Sequence, residues 1–323
     1  MKDSHSFRTA QKKNRLVIVG PTAVGKTSVS EIIAEKMETD IILADSRQIY
    51  QGMEIGTNKP TLASRKKIHR HLIDLIPPDH FFSAGAYKKK ADRVIKTMEA
   101  AGKTILIEGG TGLYIKALLY GIWDGPPADW DLRKKLLNKE ALEGAGTLHK
   151  YLLEIDPISG ARIHMKDIPR IIRAIEVYVL VNRPLSEIHA EDRLSQKKDR
   201  SFEIIGLRRT RKDLYERIEA RIDNQIALGL LDETENLLAA GMALTLPAMC
   251  GLGYRQIISY LQGKKSLDEA VAIFKRDTRR YAKRQMTWFR ADRNIAWIDL
   301  DVGEPPEETA ERVMRLKKCS SVL

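Results

Sequence analysis

Cysteine is almost missing from this chain of 323 residues: only Cys250 and Cys319 occur. Two distant cysteines build neither a disulfide framework nor a cysteine zinc site. Histidine is scarce as well. His69 and His71 stand two apart, and no His-Glu-x-x-His pattern is present, so no histidine metal site is expected. No apolar run approaches the roughly 18 residues of a membrane span. Met1 to Arg15 is polar and basic and lacks the apolar stretch of a secretion signal. Internal repeats and low-complexity tracts are also missing. The expectation is a cytoplasmic protein without a membrane partner.

Acidic residues are outnumbered. Lys and Arg total 55 against 43 Asp and Glu, a net charge of +12. Such an excess points to an acidic partner, nucleic acid first, although a basic protein without a polyanion is the plain alternative. With 43% hydrophobic and 30% charged residues the chain is expected to fold. Its length suits one large domain, or a domain carrying an insertion of roughly 60–80 residues.

Short apolar runs alternate with helical spacing. Leu16 to Val19, Ile41 to Ala44 and Thr104 to Ile107 read as strands buried on both faces. Val29, Ile32, Ile33 and Met37 carry helical spacing after the first strand. Tyr87 to Ala101 reads as a helix stopped by Gly102. The pattern predicts an α/β fold: a P-loop NTPase-like parallel sheet flanked by helices. Near Asp124 the character changes. From Trp130 to about Leu194 only helical periodicity is visible, with Pro157 and Pro169 at helix starts. Three segments are expected: a first core part over 15–123, an all-helical insertion over 124–200, and a second core part over 201–317. In the last, Ser201 to Leu207 and Ala296 to Ile298 read as strands. Asp213 to Leu228, Ser266 to Phe289 and Glu307 to Lys317 read as helices.

Gly20-Pro21-Thr22-Ala23-Val24-Gly25-Lys26-Thr27 fits G-x-x-x-x-G-K-[ST] between a strand and a helix. The N–H groups of such a loop wrap a diphosphate at the positive end of the helix. Lys26 would neutralise phosphate, and the Thr27 hydroxyl would hold Mg²⁺. The plain alternative is a glycine-rich turn that binds nothing. ATP is the default ligand of such a loop, and a strand ending in Asp is its usual second motif. The strand 104–107 ends in Glu108, whereas the strand 41–44 ends in Asp45. Strand C-terminal ends face the ligand crevice of an open parallel sheet, so Asp45 is expected beside the P-loop as general base or metal ligand. An N-cap aspartate is the simpler reading. Asp45, Ser46, Arg47 and Gln48 can all hydrogen-bond, which suits a planar polar group such as a base edge. Gly109-Gly110-Thr111-Gly112 is a second glycine turn after a strand.

Basic residues cluster unevenly. Lys264 to Arg293 holds ten Lys/Arg and four Asp/Glu, a net +6. Arg276, Arg280, Lys283 and Arg284 share a helix face that could grip a phosphate backbone, or be merely solvated. Arg217 and Arg221 share another face and could hold a leaving diphosphate. Arg162, Lys166, Arg170 and Arg173 form a stripe that Pro169 interrupts.

In order along the chain, these segments resemble the bacterial tRNA isopentenyltransferases, also called tRNA dimethylallyltransferases, from about Leu16 to Trp297. The carriers are the P-loop, Ala44-Asp-Ser-Arg-Gln-Ile-Tyr50, Gly56-Thr-Asn-Lys-Pro60, His71-Leu-Ile-Asp74 and Gly109-Gly-Thr-Gly-Leu-Tyr114. Asp167-Ile-Pro-Arg-Ile-Ile-Arg173, Gly253-Tyr-Arg-Gln256 and Ala282-Lys-Arg-Gln-Met-Thr-Trp288 complete the set. The resemblance implies an enzyme that moves a dimethylallyl group from dimethylallyl diphosphate to N6 of adenosine 37, beside the tRNA anticodon; a channelled enzyme of this size has no need to be more than a monomer, although the sequence does not read out the oligomeric state. It implies that the P-loop grips the donor's diphosphate, and that donor and flipped adenine enter a channel from opposite ends. Asp45 would take the N6 proton, with Lys26, Thr27-bound Mg²⁺ and Arg217 on the diphosphate. Ser46, Arg47, Gln48, Thr111 and Pro169-Arg170-Ile171-Ile172-Arg173 would face tRNA, and the insertion would clasp the anticodon stem-loop. Eukaryotic relatives append a zinc finger; without Cys/His pairs this sequence is expected to be of the bacterial type and to need no zinc.

Two other functions fit parts of the sequence. A P-loop kinase acting on a nucleoside or other small alcohol keeps the loop and Asp45 but leaves the +6 helix idle. A non-enzymatic RNA-binding protein keeps the helix and leaves Lys26, Thr27 and Asp45 idle.

Overall fold

The structure, a computed structural model, describes residues 15–195 and 202–320. Its first half opens with β1 (Arg15–Val19), α1 (Lys26–Lys36), β2 (Ile41–Ala44), α2 (Leu62–Lys67) and β3 (Arg70–His71). It continues with α3 (Ala84–Ala100), β4 (Ile105–Gly109) and α4 (Gly112–Tyr120). Five helices follow: α5 (Trp130–Glu143), α6 (Thr147–Ile155), α7 (Pro157–Arg162), α8 (Ile168–Val181) and α9 (Leu185–Ser195). The chain then forms β5 (Phe202–Arg209), α10 (Arg211–Ala227), α11 (Leu230–Ala239) and α12 (Tyr254–Leu261). It ends with α13 (Leu267–Arg290), β6 (Ile295–Leu300) and α14 (Pro306–Ser320).

The six strands make one parallel sheet in the order β3-β2-β4-β1-β5-β6. Every residue of β1 is buried, as expected of a strand covered on both faces. Val17 lies opposite Ile107 of β4 and Ile204 of β5. Leu16, Ile18, Ile33, Ile41, Leu106 and Leu207 belong to the main core, and each contributes about 1.5–3 kcal/mol by leaving water.

β2 coincides with the expected 41–44. β4 does not end at Ile107: it runs on through Glu108 and Gly109, so Glu108 is a buried strand residue rather than the start of a loop. α3 begins before Tyr87 because the Ser83 side chain caps it, accepting from the Ala86 N–H. α13 is opened by a capping box of Ser266 and Glu269. The expected strand start at Ser201 and insertion end at 200 lie outside the described residues.

The chain separates into two compact units. One holds β1 to α4 together with β5 to α14; the other begins at Tyr120 and holds α5 to α9. The helical unit has a core of its own, including Leu148, Leu152, Ile171, Ile175 and Ile188. Among the described residues no helix is long and apolar enough to cross a membrane.

Because all strands run the same way, their carboxyl ends share one edge of the sheet. The loops after β1, β2, β4 and β5 therefore open on that edge, and they carry Gly20–Lys26, Asp45–Gln48, Gly110–Thr111 and Thr210.

Candidate active site

The P-loop leaves β1 at Gly20 and enters α1 at Lys26. Gly25 caps that helix with φ of 113°, which a residue with a Cβ adopts only under strain. Ala23 does sit at positive φ, 65°, so the loop stores strain beside its candidate phosphate site. The Lys26 ammonium donates to the carbonyls of Gly20 at 3.0 Å and Pro21 at 2.9 Å. Desolvation lowers its pKa to about 8; Glu108 and Asp45 pull it back up, and Arg221 opposes them.

Three arginines close on the same loop. Arg209 donates to the Val24 carbonyl at 2.9 Å, and Arg217 to the Ala23 carbonyl at 3.0 Å. Arg221 donates to the Thr22 hydroxyl at 3.0 Å. Burial lowers the Arg221 guanidinium to about 10, aided by the charge of Arg217, so it remains cationic near neutrality. Arg217 is also lowered, by desolvation first and by Arg209 second. Arg209 is held by Asp213 at 2.9 Å. Loop N–H groups, one lysine and these guanidiniums bring together the donors and positive charge that a polyanion requires.

Two residues that sequence reasoning passed over complete this corner. Glu108 accepts from the Thr27 hydroxyl at 2.7 Å. Burial raises its carboxyl, against the Thr27 hydrogen bond and the Lys26 charge. Gln285 of α13 accepts from the Thr22 N–H at 2.9 Å and donates to the Gly110 carbonyl at 2.8 Å, tying the P-loop to the glycine turn. The signals were present: Glu108 follows a buried apolar run, and Gln285 lies in the Ala282–Trp288 motif.

Asp45 does turn work as well as standing near the lysine. Its Oδ1 accepts from the N–H groups of Arg47 at 2.7 Å and Gln48 at 3.4 Å, an Asx turn. Among the described residues nothing donates to Oδ2. Thr111 is brought alongside, its Oγ1 accepting from the Ser46 N–H at 2.9 Å. The Tyr281 hydroxyl is pushed up to about 12 by burial and by the Asp45 charge, so Tyr281 also belongs to this wall of the site. Arg47 donates to the Pro247 carbonyl, and Gln48 holds the Thr57 and Asn58 carbonyls.

The remaining candidates divide. Arg280, Lys283 and Arg284 are exposed on α13. Arg280 lies 3.9 Å from Asp277, and Arg284 covers the Tyr281 ring. In the helical unit Pro169 opens α8, Arg170 is exposed, and Arg173 pairs with Glu176. The Ile171 and Ile172 side chains are buried in that unit's core, 0% and 5% exposed, so the side chains this segment offers to a partner are those of Arg170 and Arg173. Helical spacing alone turns the two isoleucines inward when Arg170 and Arg173 turn out.

A protein-family model described as IPP transferase matches residues 48–292. The tRNA dimethylallyltransferase of Pelotomaculum thermopropionicum is 45% identical over 308 residues, covering 94% of this chain and 96% of that protein. That of Acetivibrio thermocellus is also 45% identical, over 91% and 94%. The crystal structure of the tRNA isopentenylpyrophosphate transferase from Bacillus halodurans superposes with a TM-score of 0.68 at 35% identity, covering 96% of this chain and 98% of that one. A eukaryotic dimethylallyltransferase structure, at 24% identity and a TM-score of 0.77, shares the fold. With a match across most of its length, a P-loop at the carboxyl edge of a parallel sheet and Asp45 beside it, the chain belongs to the IPP transferase family.

Proposed function

We propose that this chain transfers the dimethylallyl group of dimethylallyl diphosphate to N6 of adenosine 37 in tRNA. The observation that carries the reading is the meeting of Lys26, Arg217 and Arg221 on one loop with Asp45 close enough to act on the Lys26 ammonium. A C–N bond forms between adenine N6 and the allylic carbon while the C–O bond to diphosphate breaks. The N6 lone pair is delocalised into the ring, so a base that takes the proton as the bond forms is needed; Asp45 Oδ2 is that base. Diphosphate leaves with its electron pair once its charge is met by loop N–H groups, Lys26, Arg217 and Arg221.

A divalent cation, Mg²⁺, belongs to this reading. The donor set fits a hard ion: Thr27 offers a hydroxyl oxygen, and it touches Glu108, whose buried Oε2 has no hydrogen-bond partner among the described residues. When bound, the ion supplies further neutralisation of the diphosphate. Thr27, at the start of α1, would hold it.

Ser46, Arg47, Gln48 and Thr111 line the adenine side. Because the target base lies in a stacked loop, it must be turned out to reach Asp45. Arg280, Lys283 and Arg284 grip tRNA phosphates, as do Arg170 and Arg173 of the helical unit, which embraces the anticodon stem-loop. The enzyme works as a cytoplasmic monomer. The test is a transfer assay with labelled dimethylallyl diphosphate, unmodified tRNA and Mg²⁺, without ATP. Label on adenosine 37 is expected. No transfer, with ATP consumed instead in the presence of a small alcohol, would overturn the reading in favour of a kinase.

A further inference from the structure

Glu108 is a costly residue to bury. It is 4% exposed in a strand whose other members are apolar or glycine. A carboxylate in such a place is normally satisfied at both oxygens. Here Oε1 accepts from Thr27 at 2.7 Å, but among the described residues Oε2 has no hydrogen-bond partner. A purely architectural role, holding Thr27 in place, uses one oxygen and leaves the other unexplained.

Position sharpens the point. Glu108 lies opposite Ile18, two residues before the P-loop begins, on the strand directly beside β1. In P-loop enzymes that cleave nucleoside triphosphates, the loop Ser/Thr and a carboxylate from a neighbouring strand together hold Mg²⁺. Mg²⁺ is ordinarily met by one or two carboxylates plus substrate phosphates, with water filling the rest. Among the described residues no group of three His, Cys, Asp or Glu could make a protein-only cage. One carboxylate beside one hydroxyl is instead what a shared ion, half held by diphosphate, requires.

We propose that Glu108 is the second protein anchor of the diphosphate-bound cation, with Thr27 the first. The Thr27 hydroxyl donates its hydrogen bond to Oε1, which would leave the lone pairs of the hydroxyl oxygen to the ion, and Oε2 of Glu108 would complete the protein's share. The proposal rests on a diphosphate occupying the P-loop, and not on the identity of the acceptor.

The test is Mn²⁺ binding followed by electron paramagnetic resonance in the presence of inorganic diphosphate, on the full chain. Glu108→Gln keeps an Oε1 acceptor for Thr27 and removes only the charge. Its Mn²⁺ dissociation constant should rise at least tenfold, while metal-free diphosphate binding changes less than threefold. Glu108→Met, apolar and similar in length, should behave alike and provides the reading if the glutamine variant folds poorly. Mn²⁺ affinity within twofold of wild type in a folded variant overturns the proposal. So does a parallel loss of metal-free diphosphate binding, which would mark Glu108 as architectural. Wild-type protein that binds diphosphate but no Mn²⁺ also overturns it and leaves prenyl transfer standing. Failure to bind diphosphate at all overturns it together with the donor-site reading.

Discussion

Lys26 carries an ammonium that burial has weakened to about 8, within the range where a protein is ordinarily handled. Diphosphate prefers the protonated form, so affinity is present below that value and is lost as pH rises through it. Dimethylallyl diphosphate binding measured by calorimetry from pH 6.5 to 9.5 should be flat at first and then weaken above about pH 8. In Lys26→Arg, whose charge does not titrate there, the break should vanish. A break that persists in that variant would assign it to another group. Asp45 makes a different demand. Its Oδ1 is committed to a turn, leaving Oδ2 for the adenine proton. Asp45→Asn preserves an oxygen for the turn and removes the base, so turnover should fall by roughly 10²–10⁴ with tRNA affinity nearly unchanged. Turnover near wild type would remove Asp45 from the chemistry.

At the scale of one element, α13 serves two faces. Inward, Gln285 ties the P-loop to the glycine turn, and Trp288 packs against Gly112 so closely that a Cβ there would lie 2.2 Å from the ring. Outward, Lys283 makes no ion pair among the described residues and Arg280 is only loosely held by Asp277. Replacing both by alanine should reduce the slope of log affinity for tRNA against log salt by about 1–2, as expected when two phosphate contacts are lost. An unchanged slope, read by filter binding from low to moderate salt, would take this helix off the RNA. Elements of this kind are legible in the sequence because their signals are strong: an apolar run for β2 and long periodicity for α13. β3 was not, since Arg70 and His71 carry no strand pattern and pair only because β2 presents a free edge. α11 and α12 escaped because short helices leave few turns in which periodicity can show. The end of β4 was misread because a carboxylate ordinarily signals a loop; Thr27 and Lys26, far away in sequence, make its burial tolerable. The P-loop was plain, whereas the encirclement of that loop by Arg209 and Gln285 is a product of tertiary folding. The motif spanning Pro169 to Arg173 does not by itself tell which of its side chains turn inward; Ile171 and Ile172 belong to their unit's core.

For the molecule as a whole, the division of labour follows the division of the chain. The unit with the sheet has its own core and holds every P-loop residue together with Asp45 and Arg217, Arg221 and Gln285. The helical unit has a separate core and presents Arg170. Replacing 121–200 by a flexible linker should therefore leave diphosphate binding within about threefold while tRNA affinity falls more than tenfold, comparable to losing several phosphate contacts. Equal losses of both would show that the sheet unit depends on the insertion to hold its site. The position of that insertion matters again during synthesis. β1 leaves the ribosome well before β5, its partner on one side, and Arg15 cannot pair with Phe202 until the entire helical unit has been made. Throughout that interval an apolar strand edge stays open, available to neighbouring nascent chains. Translation that pauses within α5 to α9 should thus yield aggregates rather than half-folded enzyme.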